Sequence, residues 1–459
     1  MDIIWKGELI ALNETKKAMG KKKIIFAIIG ALVIIALVVC FIVTIIRHKS
    51  SSSSNKSSNS SNGSTTLSSQ KITTGGSYKI TGKNSCIVIN STDDVTLELN
   101  NATITCDSGP AINVEAGDVT IVLNGENTIT STTTEDLDGA IYSKDDLTFE
   151  GDGSLKITSN YDGIVSKDDL VITSGTYTIN TTDDGIRGKD SVEIAGGTFN
   201  ITVKGNGIKS TNEEESDKGY INITGGTFTI NSVNDGIQAI TKLYIKDGTF
   251  TIKTTGNTST DSAKGLKSDT LVTIDGGTFN INTTDDSIHS NGNIVINNGK
   301  FTINSKDDAI HADGMVEINN GTFDITAAEG IEATYVKINK GTININASDD
   351  GINAGNKSNT YSAKVEINGG NITITMGQGD TDGVDSNGDI IINGGTISVT
   401  GQSTFDYDGT GTINGGTVIC NGEKVTTLPN QMMGGGGMQN GGPGGNSGMP
   451  GRRWWIIKD

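Results

Sequence analysis

Asp183-Asp184-Gly185-Ile186-Arg187-Gly188 is a stretch that most of the chain restates. It returns as Asn234-Asp235-Gly236-Ile237, Asp285-Asp286-Ser287-Ile288, Asp307-Asp308-Ala309-Ile310 and Asp349-Asp350-Gly351-Ile352. Weaker copies sit at Asp162-Gly163-Ile164, Asn206-Gly207-Ile208 and Asp382-Gly383-Val384. From Asp162 to Asp184 to Asn206 the step is 22 residues, and it is 22 again from Asp286 to Asp308. A fixed period of that size marks a solenoid, a propeller or a repeat array. Each unit reads as an acidic turn, a short Gly-Ile strand, a second strand such as Val192-Glu193-Ile194, a Gly-Gly turn, and Thr-Phe-x-Ile. These segments are too short for helices and lack helical spacing. The signatures of leucine-rich repeats and of propeller blades are absent. The fold class is therefore all-β: a single-stranded parallel β-helix with three short strands in each ~22-residue coil.

Period-two alternation assigns the faces. Ile186 points inward, and so does the small residue two further on, as at Gly188, Ser210, Ala239, Ser268, Ser290 and Ala312. The residue between them points outward: Arg187, Lys209, Gln238, Lys267, His289, His311, Glu332, Asn353 and Asp385. In Thr-Phe-x-Ile the aromatic points inward, which stacks Phe199, Phe228, Phe250, Phe279, Phe301 and Phe323, with Tyr177 before them. Each of these rings alternates in step with an inward Ile, so the column reads as a core ladder rather than a sugar-stacking platform.

Composition bounds the class. The chain has 459 residues with 62 Gly and only 4 Pro, which suits strands joined by tight turns. The formal charge is −18. Eight of the 35 basic and three of the 53 acidic residues lie in 1–50, so the remainder carries 27 against 50, or −23. That balance argues against nucleic acid as a partner. It also opposes anionic polymers unless cations bridge the two. Four Cys are too few for a disulfide-built scaffold. Cys86 and Cys106 lie 20 residues apart, close to one coil, and read equally as a cross-rung pair or as buried thiols.

Five segments follow from the same pass. Residues 1–23 form a basic, cytoplasmic N-terminus. Residues 24–46 are an uncharged apolar run long enough to span a membrane. The lysines before it place the body outside, as a single-pass protein of the cell membrane. A cleaved signal peptide would have a shorter apolar stretch ending in small residues. Residues 47–74 are a Ser/Asn-rich linker, 75–427 the β-helix, and 428–459 a Gly/Met-rich tail with the composition of a disordered segment. Insertions collect at two corners, at 211–218 and 355–362 and at 256–262 and 375–380, and such clustering often marks the working face of a solenoid.

Three constellations carry chemistry. In the first, coil stacking brings the paired carboxylates of successive turns to about 5 Å, where they repel unless a cation intervenes. Ca²⁺, which takes six to eight oxygen ligands, suits Asp pairs with turn carbonyls; Asp as a water-facing turn former is the plainer reading. In the second, His289 and His311 stand one coil apart in the outward row. There they could take a transition metal or a sugar hydroxyl, or serve as polar filler. Lys267 and Asn353 extend that row as candidate carbohydrate contacts. In the third, a calcium-assisted lyase would need a basic residue beside the ion, and Arg187 and Lys209 are the candidates, against a reading as surface charges. No nucleophilic triad, zinc-protease motif or phosphate loop is present.

The repeated D-D-G-I-x-[SA] and I-x-G-G-T-F-x-I pattern, over roughly residues 75–425, resembles a family of clostridial cell-surface carbohydrate-binding proteins. The resemblance implies a right-handed parallel β-helix related to pectate lyases. It further implies binding of cellulose-like or polygalacturonate-like polysaccharide, with calcium as cofactor. The implied calcium residues fall on Asp183, Asp184, Asp285, Asp286, Asp307, Asp308, Asp349 and Asp350. At Ala263-Lys264 and Ala328-Glu329 the pair is lost and no ion is expected. Ala309 replaces only the Gly of its turn, which puts the turn's shape in question. The expected function is non-catalytic polysaccharide binding, the alternatives being a pectate or pectin lyase and a structural or adhesive surface rod. Oligomeric state is not legible.

Overall fold

A computed structural model describes residues 70–260, 262–379 and 381–430. The segments read as membrane span and N-terminus, all but the end of the linker, and the tail beyond Asn430 lie outside the described residues; the first residues read as tail pack on the last coil, with Leu428 buried and Asn430 donating to the Tyr407 carbonyl at 2.9 Å. No helix among the described residues is long and apolar enough to cross a membrane.

Forty-two strands in the described residues join one continuous sheet. Their pairings are parallel, apart from Thr417–Cys420 with Glu423–Val425 at the C-terminal end. One coil shows the plan. Ile186–Gly188, Ser191–Ile194 and Thr198–Thr202 pair with Ile208–Ser210, Tyr220–Ile223 and Thr227–Ser232 of the next, with Ile186 opposite Ile208, Val192 opposite Ile221 and Phe199 opposite Phe228. Equivalent side chains therefore repeat along the axis, the arrangement of a parallel β-helix.

The inward rows form the core. Tyr177, Phe199, Phe228, Phe250, Phe279, Phe301 and Phe323 are at most 1 % exposed. Their rings stack 4.6–4.9 Å apart and almost parallel. That spacing is the inter-strand distance, so the backbone ladder sets the ring ladder. The Gly before each Thr-Phe has a reason. Gly226 adopts φ +121°, which L side chains rarely take, and a Cβ there would come 3.0 Å from the Phe228 ring. The outer corner after the second strand carries an amide ladder. Asn319, Asn339, Asn368, Asn393 and Asn414 each donate through Nδ2 to the Oδ1 of the previous member, beginning at Asn297, at 2.8–2.9 Å.

Near the N-terminal end Cys86 and Cys106 form a disulfide with Cα atoms 5.0 Å apart, which decides the pairing left open above. Cys420 is a free thiol. The turn at Ala309 keeps its shape: Ala309 donates its N–H to the Glu329 carbonyl at 2.9 Å, as Gly185 does to Asn206.

Candidate functional site

The acidic turns stack along one edge of the coil, and their two carboxylates have different surroundings. Asp183 and Asp307 are exposed, whereas Asp184 and Asp308 are 6 % exposed. The second position has a backbone task. Asp162 accepts the N–H of Asp184 on Oδ1 at 2.8 Å, and Asp184 accepts that of Asn206 at 2.7 Å. Asn206 accepts that of Asp235 at 3.0 Å, and Asp235 that of Lys264 at 2.8 Å. Asp286 receives Asp308 at 3.2 Å, and Asp350 receives Asp382 at 3.0 Å. A buried N–H that turns away from the sheet ladder needs an acceptor, and these side chains supply it.

The outward row runs beside this ladder. Arg187, Lys209, Gln238, Lys267, His289, His311, Glu332, Asn353 and Asp385 are neighbours in successive coils. Most of them lean back onto the acidic turns. Arg187 binds Asp138 and, at 2.6 Å, Asp162. Lys209 lies 3.8 Å from Asp184, and Lys267 3.7 Å from Asp235. Asn353 donates to Glu329 and Glu332. Arg187 and Lys209, the candidate lyase bases, thus stand in ion pairs. The guanidinium of Arg187 is buried, which alone would lower its pKa, but Asp162 and Asp138 raise it.

At the locus of Asp285, Asp286, Asp307 and Asp308 a cation is already built in. Lys264, which replaces an acid in its own coil, places its ammonium 2.7 Å from Asp285 and 3.0 Å from Asp286. His289 Nδ1 lies 2.8 Å from Asp286. Burial alone would raise the Asp286 carboxyl; the bond to His289 and the charges of Lys264 and His311 hold it well below the usual range. Ligand oxygens of Asp285, Asp286 and Asp307 still converge within 4.8 Å of one another, as do those of Asp162, Asp183 and Asp184.

The C-terminal coils are different. Burial, with Asp385, Asp349 and Asp382 nearby, pushes Asp350 up to about 7. Burial, with Asp382, Asp406 and Asp408 nearby, pushes Asp385 to about 6. No ion pair among the described residues reaches Asp349, Asp350, Asp385, Asp406 or Asp408. Backbone N–H groups offset part of this charge, that of Asp382 at Asp350 and that of Ser386 at Asp385; the described groups whose ligand atoms converge within 4.8 Å lie in earlier coils.

An aromatic corner escapes the period-based reading. Tyr335 sits outward on the second strand of its coil, half-buried. Tyr361, from the 355–362 insertion, rests over Gly314 and lies 6.1 Å from Tyr335 with the rings at 55°. The insertion is anchored by Thr334, whose Oγ1 accepts the N–H groups of Lys357 and Ser358. Lys364 places its ammonium 4.1 Å from the Tyr335 ring centre, and the Tyr335 hydroxyl donates to Glu366 at 2.7 Å. The outward alternation of Tyr335 and the insertion were both visible in the sequence; their meeting was not. A separate open groove of about 500 Å³ runs past Ala327, Ala347 and Met376, just before the acidic turns.

A family model of carbohydrate-binding domain-containing proteins matches residues 67–309 and 305–427. Among solved structures, a polysaccharide lyase-like protein from C. thermocellum, in a gadolinium derivative, is 30% identical to the chain. The match covers 48% of this chain and 89% of that one, with a TM-score of 0.39. No curated protein matches.

Proposed function

Because the chain belongs to the family of carbohydrate-binding domain-containing proteins, we propose that it is a non-catalytic polysaccharide-binding protein. In this reading the body is a right-handed β-helix outside the cell, held at the membrane through residues 24–46, and calcium takes part in recognition. The observation that carries the binding reading is the outer corner of Tyr335 and Tyr361. An aromatic surface covers the apolar face of a sugar ring, and the Lys364 and Glu366 side chains beside it offer hydrogen bonds to hydroxyls. Lys267, His289, His311 and Asn353 extend the polar surface along the row.

In the C-terminal coils calcium would be held by the pair Asp349/Asp350, with Asp385 in the adjoining row. The pairs Asp183/Asp184, Asp285/Asp286 and Asp307/Asp308 are further candidates, less in need of it where Lys264 and the histidines stand. The ion would supply local positive charge and coordination positions for uronate oxygens on a body of net −23.

Pull-down on cellulose and on polygalacturonate tests the reading, comparing the full chain with Tyr361→Ala. Loss of a ring contact of about 1.4 kcal/mol weakens binding about tenfold. Equal retention of both proteins on every polymer would remove the aromatic corner from the site. Release of unsaturated uronide by the wild-type chain would favour a lyase instead.

A further inference from the structure

One group of side chains is over-supplied with oxygens. His311 Nδ1 stands 2.7 Å from Asp308 Oδ2 and 2.9 Å from Glu332 Oε2. A ring nitrogen carries one hydrogen, so two carboxylates converge on a single donor. Asp308 and Glu332 are 6 % and 4 % exposed, which leaves water little access to relieve the competition. Lys357 holds the other oxygen of Glu332 at 2.6 Å, fixing Oε2 toward the ring. One coil earlier the motif recurs: His289 meets Asp286 through Nδ1 and Asn291 through Nε2, both at 2.8 Å. The His289 and His311 rings lie 5.0 Å apart. Ligand atoms of Asp308, His311 and Glu332 lie within 4.8 Å of one another, and so do those of Asp286, His289 and His311.

We propose that Asp308, His311 and Glu332 form a site for a divalent transition-metal ion of the zinc type. The donor chemistry decides the class. An imidazole nitrogen joined to carboxylates selects zinc and its neighbours over calcium, which prefers oxygen alone. Ligands 2.0–2.1 Å from a tetrahedral centre lie about 3.3 Å apart, so each oxygen needs to draw back from the nitrogen by only about half an ångström. The ion takes the place of the shared hydrogen and gives both carboxylates a partner. Lys357 orients Glu332, and His289 with Asp286 stands beside the ion as a further nitrogen and oxygen donor. This site is separate from the Asp349, Asp350 and Asp385 group; it shares His311 with the row proposed for polysaccharide, and its test uses no polysaccharide.

The test is calorimetric titration of the metal-stripped full chain with zinc chloride in millimolar calcium, run in two buffers of different ionisation enthalpy. We expect one tight zinc equivalent that calcium does not displace, with net proton release on binding. Cobalt added to the wild-type chain should give the visible absorption of a nitrogen- and oxygen-ligated ion. His311→Asn should abolish the tight equivalent, and Lys357→Met, which leaves the ligands in place, should weaken it about tenfold. Absence of the tight equivalent, its displacement by calcium, or its survival in folded His311→Asn would overturn the proposal. Should His311→Asn fail to fold, the wild-type cobalt spectrum and proton count decide it alone.

Discussion

Asp184 takes the backbone N–H of Asn206, one coil further on, onto its Oδ1 at 2.7 Å. The relationship gives the repeated acid a purpose apart from any ion, and it separates the two members of the pair. Asp184→Ala leaves a buried N–H without its acceptor, which costs about 1–3 kcal/mol. Asp184→Asn keeps an acceptor, as Asn206 does for Asp235. Asp183→Ala, at an exposed position, should stay within about 0.5 kcal/mol of wild type. Urea unfolding midpoints of the three variants check the order; equal losses at 183 and 184 would contradict it.

The aromatic ladder makes a second prediction. Phe250 lies between Phe228 and Phe279, at 4.7 and 4.8 Å. Phe250→Ala removes a fully buried ring and both stacking contacts, for a loss of about 3–5 kcal/mol. Phe250→Leu keeps most of the volume and should cost clearly less. Thermal unfolding distinguishes the two, and an Ala variant as stable as wild type would show that the column does not carry the core.

Lys264 occupies the oxygens that a calcium ion at this locus would need. Lys264→Met strips the ammonium from Asp285 and Asp286, and breaking such a buried pair costs about 3–5 kcal/mol. The expected result is a melting temperature that falls in chelator and recovers in millimolar calcium, while wild type responds less at this locus. A variant whose melting temperature is indifferent to calcium would mean that Asp285, Asp286 and Asp307 do not hold the ion even when freed.

The fold was legible because two independent periods agree. The 22-residue step places the coils, and alternation within Thr-Phe-x-Ile places the rings. Both are properties of the backbone ladder, which repeats without regard to its neighbours. The site was less legible because its chemistry comes from departures from the repeat. Lys264 interrupts the acidic column and neutralises the next coil rather than its own. Tyr361 belongs to an insertion, and no period says that it meets Tyr335. The outward row was readable as a row, but not its lean onto the acidic turns, because a side chain as long as Arg187 reaches across coils to Asp138. The 20-residue gap between Cys86 and Cys106 fitted either reading until their Cα atoms were placed 5.0 Å apart.

The C-terminal acids set a pH dependence with a definite sign. Burial and mutual repulsion hold Asp350 at about 7 and Asp385 at about 6, against an ordinary Asp near 3.8. Between roughly pH 4 and 7 the folded chain keeps protons that the unfolded chain has released, so stability falls as pH rises through that window. His311, pushed up to about 12 by Asp308, Asp313 and Glu332 against the opposing effect of burial, adds a decline of the same sign above its ordinary value. A cation on Asp349, Asp350 and Asp385, as proposed, would replace those protons and remove that part of the slope. Melting temperatures measured from pH 5 to pH 8 should therefore decline in chelator and decline less steeply in calcium. Asp350→Asn with Asp385→Asn should make the chelator curve shallower without calcium, because two of the repelling charges are gone, while Asp162 and Asp308, pushed up to about 7, and Glu329, pushed up to about 8, keep the rest of the slope. Parallel curves in chelator and calcium would leave these carboxylates without a metal, and an unchanged slope in the double variant would assign the decline to other groups.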